Sequence, residues 1–353
     1  MVFRTLMTQT AAVEFLLPLW QHVLQRPSIN VNNNFFDFGG NPSLADRIFV
    51  EVAEACGRDL TSLLIYEAPT VASLAALLQQ RDPPRLPPLL LMNGGTEGPP
   101  IFIAHGLGDS VFSLFHLVNT IESSRPIYGM QARGIDGVGE PFTSVEAMAE
   151  FHLDAITELQ PKGPYSLIGC SLGGLVVLEI AQRLLASGEK VGLLALVDSF
   201  PHRNQLAADQ RVLLSLRLAK RRVWSLIRTF HGRSGSKTPE HNAGSASQRR
   251  CSEVSLAQLM EKMRDVASLA WRRYRPRFYP GSIKFVNAEI STYFPDNPVA
   301  VWSRLAAQLD VKTALGDHLS MLTVEFRKLG AILTRCLNET SSQGTAEPAE
   351  SQP

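Results

Sequence analysis

The chain has 353 residues, 45% of them apolar, and a formal net charge of +1. This length exceeds one average domain and supports a large core, so we expect two domains. The balanced charge gives no reason to expect nucleic acid as a partner, and no run of 18 apolar residues predicts a membrane span. The cysteines are too scattered for a metal site or a disulfide framework, which predicts no bound metal and a reducing, cytoplasmic location. They are Cys56, Cys170, Cys251 and Cys336.

Residues 8–80 are predicted to form a small helical unit. A first amphipathic helix ends near Leu24, and a second begins near Asn41, a good N-cap that is followed by proline at the first helical position. The segment LTSLLIYEAPTVASLAALLQQ supplies two further short helices, which a proline separates, and Thr70 is the expected cap of the last one.

Residues 81–98 begin with RDPPRLPP, a stiff and extended run that predicts an interdomain linker. In residues 99–336, apolar strands alternate with helical segments, which predicts an α/β domain whose mostly parallel sheet is covered by helices on both faces. A helical insertion at residues 201–275, with a polar loop in its middle, interrupts the alternation. The tail, residues 337–353, is poor in apolar residues and is predicted to be disordered. The strand candidates are PIFIAHG, PIYGMQARG, YSLIGCS, VGLLALVDS, SIKFVNAE and LDVKTALGD.

The pattern Gly-x-Ser-x-Gly, at residues 169–173, stands between an apolar strand and an amphipathic helix. This context is typical of a nucleophile elbow, in which a sharp turn holds a serine hydroxyl above the sheet. Ser171 is therefore the predicted nucleophile. The backbone N–H groups of Leu172, next to the serine, and of Leu107, in the loop HGLGDS, are predicted to bind an oxyanion. Cys170 occupies the variable position of the elbow, so we expect it to shape the pocket rather than to attack.

A serine nucleophile needs a base and an acid that orients the base, and the hydrolase order is serine, acid, histidine. Asp198 ends the strand after the elbow and His318 follows the last strand candidate, so both can reach the sheet edge where Ser171 lies. Asp317 is a rival for the acid, but adjacent residues usually point apart, which favours Asp198. His105, in the loop after the first strand candidate, is expected to pack or hydrogen-bond under that loop.

With these motifs, residues 99–336 resemble the thioesterase domains that end nonribosomal peptide and polyketide synthetases. The resemblance lies in IFIAHGLGDS, RPIYGMQARGIDG, QPKGPYSLIGCSLGGLVVLEIA, LLALVDS and GDHLSML, in that order. Residues 8–80 resemble the carrier domain that precedes such thioesterases, through NNNFFDFGG and LIYEAPTVASLAALL. The resemblance implies an α/β-hydrolase fold with a helical lid at residues 201–275, preceded by a four-helix carrier bundle.

In that family, a serine takes the acyl or peptidyl chain from a phosphopantetheine thioester, and hydrolysis or cyclisation then releases the chain. The resemblance implies that Ser171, Asp198 and His318 form the triad. The partners that it implies are carrier-bound or CoA acyl thioesters and the upstream domains or modules of a synthetase. Two alternatives stay open: an editing thioesterase that clears aberrant acyl groups, and a non-catalytic docking module of a synthetase.

The attachment serine of the carrier is expected within GGNPSL, residues 39–44, where the family usually has Gly-Gly-Asp/His-Ser-Leu. If Pro42 is an insertion, Ser43 is the attachment residue for phosphopantetheine. An ungapped match puts Pro42 itself at the position of the serine. A displacement by one residue rotates the hydroxyl by about 100° around a helix. The alternative to a modified Ser43 is therefore a degenerate carrier that is kept for docking or stability.

The predicted lid is strongly basic, with ten basic residues between positions 211 and 250 against the single acid Glu240. The charge is interpreted either as a solvated face or as a surface that attracts the phosphate of phosphopantetheine or CoA, or an acidic carrier. A helix that lies on a membrane surface is a third interpretation. The basic residues are Arg211, Arg217, Lys220, Arg221, Arg222, Arg228, Arg233, Lys237, Arg249 and Arg250.

Overall fold

The computed structural model contains a small helical unit followed by a larger unit that is built around one sheet. Within the described part of the chain, no helix is long and apolar enough to cross a membrane. All but two of the ten basic residues between positions 211 and 250, and nearly all of the polar loop of the predicted lid, lie outside the described residues. The described residues are 7–58, 60–80, 85–137, 139–216 and 250–343, with 250–258 and 341–343 described by their backbone alone.

The helical unit contains three α-helices and one short 3-10 helix. They are α1 (Gln9–Leu24), α2 (Pro42–Cys56), the 3-10 helix (Ser62–Ile65) and α3 (Val71–Leu78). Asn41 caps α2 through its side chain and Pro42 occupies the first helical position. Thr70 forms a capping box with Ser73 at the start of α3. The third member of the expected bundle is a single 3-10 turn, because Pro69 follows too closely for a longer helix.

The larger unit is built on a seven-stranded sheet with the order β1-β3-β2-β4-β5-β6-β7. Neighbouring strands are parallel except β1, which runs antiparallel to β3. Strands β2 to β7 fall on the six predicted strands, but the sequence pattern does not predict β1. That strand lies inside the range 81–98 interpreted as a linker. The strands are β1 (Leu89–Asn93), β2 (Ile101–Ala104), β3 (Ile127–Met130), β4 (Tyr165–Cys170), β5 (Val191–Val197), β6 (Tyr279–Ile290) and β7 (Ala306–Asp317).

Helices cover both faces of the sheet, which confirms the predicted α/β architecture. Successive residues of β2 point to opposite faces: Phe102 packs in the cluster that contains α5 and α6, whereas Ile101 and Ile103 pack with α4 and α10. Further 3-10 helices span Val111–Leu114 and Arg203–Gln205, and residues 208–216 are helical. The helices are α4 (Phe115–Val118), α5 (Val145–Leu159), α6 (Leu172–Ala186), α7 (Arg250–Arg273), α8 (Pro298–Trp302), α9 (Ser320–Thr323) and α10 (Phe326–Gln343).

The C-terminal helix α10 continues past residue 337, where the tail was expected to become disordered. Leu337 is buried in the core. The six residues after Leu337 are helical although they are poor in apolar side chains. Among them, Glu339 accepts hydrogen bonds from Lys284 of β6, at 2.7 Å, and from Lys312 of β7, at 3.0 Å. The helix ends at Gln343, and the rest of the tail lies outside the described residues.

Helix α7, the longest described helix of the predicted lid, is fixed to the body at its C-terminal end. Tyr274 follows the helix and donates a hydrogen bond of 3.1 Å to the buried carboxylate of Glu179, in α6. Glu179 also pairs with Arg277, which partly neutralises its charge. In α7 itself, Trp271 donates its indole N–H to the carbonyl of Phe200 at 3.0 Å. These contacts hold α7 and the residues that follow it against α6 and against the loop after β5.

An aromatic cluster joins the helical unit to the larger unit. The ring of Phe36 stacks on that of Tyr66 at 5.0 Å, and Tyr66 lies 5.5 Å from Phe112 of the larger unit. Burial raises the pKa of Tyr66 above its ordinary value. Beside these rings, Leu63 of the 3-10 helix shares a buried cluster with Met263 of α7. Because aromatic rings bury large apolar areas, this contact docks the helical unit on the larger one.

Candidate active site

Ser171 stands at the turn between β4 and α6. Its backbone has φ 53° and ψ −120°, and its N–H donates to the carbonyl of Val197 at 2.9 Å. A positive φ is unfavourable for a residue with a side chain, and such strain is typical of functional sites. The hydroxyl does not cap the helix that follows it. The structure thus places Ser171 as the sequence predicts, on a strained turn with its hydroxyl uncommitted to the helix.

The glycines around Ser171 are required because backbones crowd there. A Cβ at Gly169 would lie 2.4 Å from the carbonyl oxygen of Gly173, and one at Gly173 would lie 2.4 Å from the carbonyl oxygen of His105. Gly106 is the glycine of the loop after β2 that lies against the nucleophile, since a Cβ there would be 3.5 Å from Ser171 Cβ. Small residues therefore let the loop after β2 approach the serine closely.

Asp198 and His318 meet beside the elbow. The strand residues before Ser171 and Asp198 are paired in the sheet, so both side chains emerge at the same edge. Asp198 is buried, and its Oδ1 accepts a hydrogen bond from Ala288 N at 3.3 Å. Its Oδ2 lies 2.7 Å from Nδ1 of His318. Asp198 itself has a φ of 42°, the second non-glycine residue of this edge with a left-handed backbone.

The rival carboxylate, Asp317, is engaged elsewhere. It accepts hydrogen bonds from the backbone N–H groups of Leu319 and Ser320 and from the Ser320 hydroxyl. These bonds to its charged form, led by that from Ser320 N, hold the pKa of Asp317 below its ordinary value. The contacts favour Asp198 as the residue that orients the imidazole.

The ring of His318 is held by aromatic neighbours as well as by Asp198. Phe294 meets it edge-on at 4.9 Å and Tyr293 lies 6.5 Å away. Among the described residues, the hydrogen bond that His318 forms is the one to Asp198, and none joins it to the Ser171 hydroxyl. Such bonds are often long in unliganded sites and shorten when substrate binds.

The predicted oxyanion donors lie on the two segments that flank Ser171. Leu172 is the first residue of α6, and Leu107 lies in the loop after β2. Within the described ranges, no protein group accepts a hydrogen bond from either backbone N–H. Helix α7 covers this loop, because a Cβ at Gly108 would lie 2.7 Å from Cβ of Arg264. Both N–H groups are therefore available to an oxyanion next to the elbow.

A cavity of about 60 Å³ lies beside the elbow, between α5, α6 and α7. Its wall includes Gly106 and Leu172, next to the nucleophile, and His105. His105 hydrogen-bonds the carbonyl of Gly106 through Nδ1, as expected, and burial lowers its pKa. Cys170 differs from expectation because it packs in the core under the sheet rather than in the cavity wall. Burial raises the pKa of its thiol to about 12, which makes it a poor nucleophile.

His152 also lines this cavity and was missed by the sequence predictions. It belongs to the buried face of α5 together with Val145, Ala149 and Ile156. The available signal was a histidine at a position whose helical neighbours are apolar. A histidine at such a position more often belongs to the core than to a site, so the sequence alone does not distinguish the two.

Ser43, the candidate attachment residue, lies on the first turn of α2 and is exposed. Asn41 provides the cap of this helix, so the hydroxyl of Ser43 is not needed for that purpose. The turn before the helix is tight, because a Cβ at Gly40 would lie 2.3 Å from the ring of Phe35. An exposed hydroxyl at the start of this helix fits the attachment of a phosphopantetheine arm.

The chain matches two protein families. The model of the thioesterase domain matches residues 99–334, and that of the phosphopantetheine attachment site matches residues 14–78. The chain is 36% identical over 213 residues to a dimodular nonribosomal peptide synthase of Bacillus subtilis (strain 168). That match covers 59% of the chain and only 9% of the synthase, so the chain spans less than a tenth of the length of this relative.

Two solved structures share the fold. The four-domain nonribosomal peptide synthetase AB3403, in its holo form with AMP and glycine, matches with a TM-score of 0.55 and 20% identity, covering 96% of this chain and 26% of that one. The NocB thioesterase domain, in covalent complex with a fluorophosphonate nocardicin G analogue, matches with a TM-score of 0.50 and 19% identity. This match covers 68% of the present chain and 95% of the NocB domain. The chain therefore belongs to the thioesterase-domain family, with an α/β-hydrolase fold, and carries a phosphopantetheine carrier domain of the nonribosomal peptide synthetase type ahead of it.

Proposed function

We propose that this protein releases an acyl or peptidyl chain from a phosphopantetheine thioester through an acyl-enzyme on Ser171. The observation that carries the proposal is the hydrogen bond of 2.7 Å between Asp198 and His318, at the sheet edge where the strained Ser171 lies. A buried carboxylate against a histidine, beside a serine with positive φ, is an arrangement that a structural core does not require.

The first half of the reaction forms the acyl-enzyme. His318 accepts the proton of the Ser171 hydroxyl while the oxygen attacks the thioester carbonyl. The N–H groups of Leu107 and Leu172 bind the oxyanion, and such a donor typically contributes about 3 to 4 kcal/mol. The C–S bond then breaks, and the sulfur leaves as a thiol with the proton from His318. Asp198 keeps the other imidazole proton on Nδ1, so that Nε2 faces the serine.

The second half releases the chain. Water, or a nucleophilic group of the bound acyl or peptidyl substrate, attacks the ester on Ser171, and His318 accepts the proton of that nucleophile. The ester bond to Ser171 then breaks, His318 passes the proton to the Ser171 oxygen, and the product leaves as a free acid or as a cyclised compound. The partner is a thioester on phosphopantetheine, either on Ser43, on another carrier of a synthetase, or on CoA.

The test uses N-acetylcysteamine thioesters of acyl and aminoacyl groups as substrates. We expect turnover by the wild type, a loss of at least about 10³-fold in Ser171→Ala, and an acyl adduct on the wild type in intact-mass spectra. Cys170→Ala is the matched control and should keep turning over. Equal, near-background rates for wild type and Ser171→Ala would contradict the proposed activity and support the alternative of a non-catalytic docking module. Faster turnover of short acyl groups than of peptidyl chains would indicate an editing enzyme.

A further inference from the structure

The loop after β2, residues 105–110, carries the backbone N–H of Leu107, one of the two proposed oxyanion donors. Within the described ranges, none of the backbone N–H groups of residues 106–109 donates a hydrogen bond to another protein group. The imidazole of His105 bonds the carbonyl of its neighbour Gly106, which is a contact inside the loop. A loop that is not tied to the sheet by backbone hydrogen bonds takes its shape from the side chains that pack around it.

The helical unit packs at the C-terminal end of this loop. The 3-10 helix Val111–Leu114 begins directly after the loop, and Ser110, the last residue of the loop, caps it by accepting from Phe112 N at 3.3 Å. The ring of Phe112 in turn lies 5.5 Å from that of Tyr66, in the helical unit. The position of the loop end therefore depends on a contact between the two units.

A second route from the helical unit leads to the middle of the loop through α7. Leu63 of the helical unit shares a buried cluster with Met263 of α7. The next residue of α7, Arg264, covers the loop, since a Cβ at Gly108 would lie 2.7 Å from Cβ of Arg264. Gly108 directly follows Leu107. The two routes thus meet the loop on the C-terminal side of the proposed donor.

The other end of the loop is held by the larger unit alone. A Cβ at Gly173, in the elbow, would lie 2.4 Å from the carbonyl oxygen of His105. With its beginning fixed on the elbow, the loop needs a fixed far end to hold one shape. We propose that Tyr66 and Leu63 of the docked helical unit are positioning residues that place the N–H of Leu107 for the oxyanion. This inference rests on the proposed function and extends it, because the helical unit then raises the rate even for a thioester that no carrier delivers.

The physical reason is the strict geometry of an oxyanion donor. Such a donor acts when it lies about 2.7 to 3.1 Å from the oxygen of the transition state, and a displacement of about 1 Å can lower the rate about 10²-fold. The oxyanion forms only in the transition state, so a displaced donor lowers kcat and leaves KM nearly unchanged. Lost contacts with the bound substrate would instead raise KM.

The experiment measures kcat and KM of the full chain with acetyl N-acetylcysteamine thioester, which carries no phosphopantetheine arm. Tyr66→Ala removes the ring that contacts Phe112, and we expect kcat to fall about tenfold while KM stays within about threefold. Tyr66→Phe keeps the ring and removes a hydroxyl that has no partner among the described residues, so it should retain the wild-type kcat. Val50→Ala, at an exposed position of α2, is the matched control and should not change either constant.

A second variant tests the same contact from the larger unit. Phe112→Leu keeps an apolar side chain in the 3-10 helix but removes the ring, and we expect a similar fall in kcat. The two losses should not multiply in the double variant Tyr66→Ala/Phe112→Leu, because both single variants break one contact. If Tyr66→Ala fails to fold, Phe112→Leu alone decides the question.

The outcomes separate this inference from the proposed function. A wild-type kcat in Tyr66→Ala and Phe112→Leu, or a change confined to KM, overturns the positioning role and leaves the thioesterase proposal standing. An equal fall in Tyr66→Phe or in Val50→Ala overturns it as well, because the ring contact would then not be the cause. If the wild type turns over the thioester no faster than Ser171→Ala, the proposed function is wrong and the inference falls with it.

Discussion

Asp198 Oδ2 and His318 Nδ1 lie 2.7 Å apart although 120 residues separate them in the chain. The contact fixes which imidazole nitrogen carries the proton, so its removal should impair catalysis without removing the base. We expect Asp198→Asn to lower kcat by about 10² to 10⁴-fold, because the amide favours the wrong tautomer of His318. The measurement is steady-state hydrolysis of an acyl N-acetylcysteamine thioester.

The adjacent carboxylate provides a matched control for that variant. Asp317→Asn retains an oxygen that can accept from the backbone of Ser320, and we expect it to stay within about threefold of the wild type, since it touches no reacting atom. A larger loss in Asp317→Asn than in Asp198→Asn would exchange the roles of the two acids and contradict the proposed assignment.

The crowded backbone around the elbow predicts a strong effect of one added methyl group. Gly169→Ala would place a Cβ 2.4 Å from the carbonyl oxygen of Gly173, so the turn must shift. We expect the free energy of unfolding to fall by about 1 to 3 kcal/mol in urea titrations, as in other overpacked sites. Gly94→Ala is the control because a Cβ there meets no atom within 4 Å, and its stability should change by less than about 0.5 kcal/mol. Similar losses in both variants would show that close packing is not the cause.

Buried His152 predicts a loss of stability in acid. Burial and the nearby His105 lower its pKa to about 3 in the folded chain, against 6.5 for an ordinary histidine. Between these values the unfolded chain holds a proton that the folded chain lacks, so stability falls as the pH drops below about 6.5. One proton corresponds to about 1.4 kcal/mol per pH unit.

His152→Phe removes this titratable group. A comparison of the variant with the wild type therefore separates the contribution of His152 to acid instability from that of His105, whose pKa burial also lowers. We expect the variant to gain stability relative to the wild type by about 1.4 kcal/mol when the pH falls from 5.5 to 4.5. Urea unfolding at the two pH values measures the difference. Parallel losses in wild type and variant would mean that the ring is charged, or hydrated, in the folded protein.

The exposed hydroxyl of Ser43 predicts that the carrier can be modified. After incubation with CoA and a broad-specificity phosphopantetheinyl transferase, we expect the intact mass to rise by one phosphopantetheine group. Ser43→Ala should show no increase, whereas Ser28→Ala, at another exposed serine of the helical unit, should be modified like the wild type. An unmodified wild type would support the ungapped alignment, in which Pro42 takes the place of the serine, and the chain would then depend on thioesters from elsewhere.

The sequence predicts where Ser171, Asp198 and His318 lie better than it predicts their surroundings, for a physical reason. Ser171, Asp198 and His318 all follow apolar strands, and the ends of parallel strands share one edge, so strand order is enough to bring them near one another. The caps at Asn41 and Thr70 are equally local, because each depends on a few neighbouring residues.

Features that depend on distant contacts were not predictable in the same way. The edge strand β1 follows prolines directly, and its partner β3 lies farther along the chain. The end of α10 contacts lysines of two strands through Glu339, and the composition of this segment, which predicts disorder, carries no sign of those contacts. His152 looks like a core residue in the sequence, and its place in the cavity wall depends on how α5 packs against distant segments of the chain.

Met263 of α7 belongs to two environments at once: it packs in the cluster that includes Leu63 of the helical unit, and it forms part of the cavity wall. Removing the helical unit would uncover one side of this residue and free it to move within the pocket. We therefore expect a thioesterase fragment without the helical unit to have a cavity of different shape. Substrate preferences should accordingly be compared on the chain that contains both units.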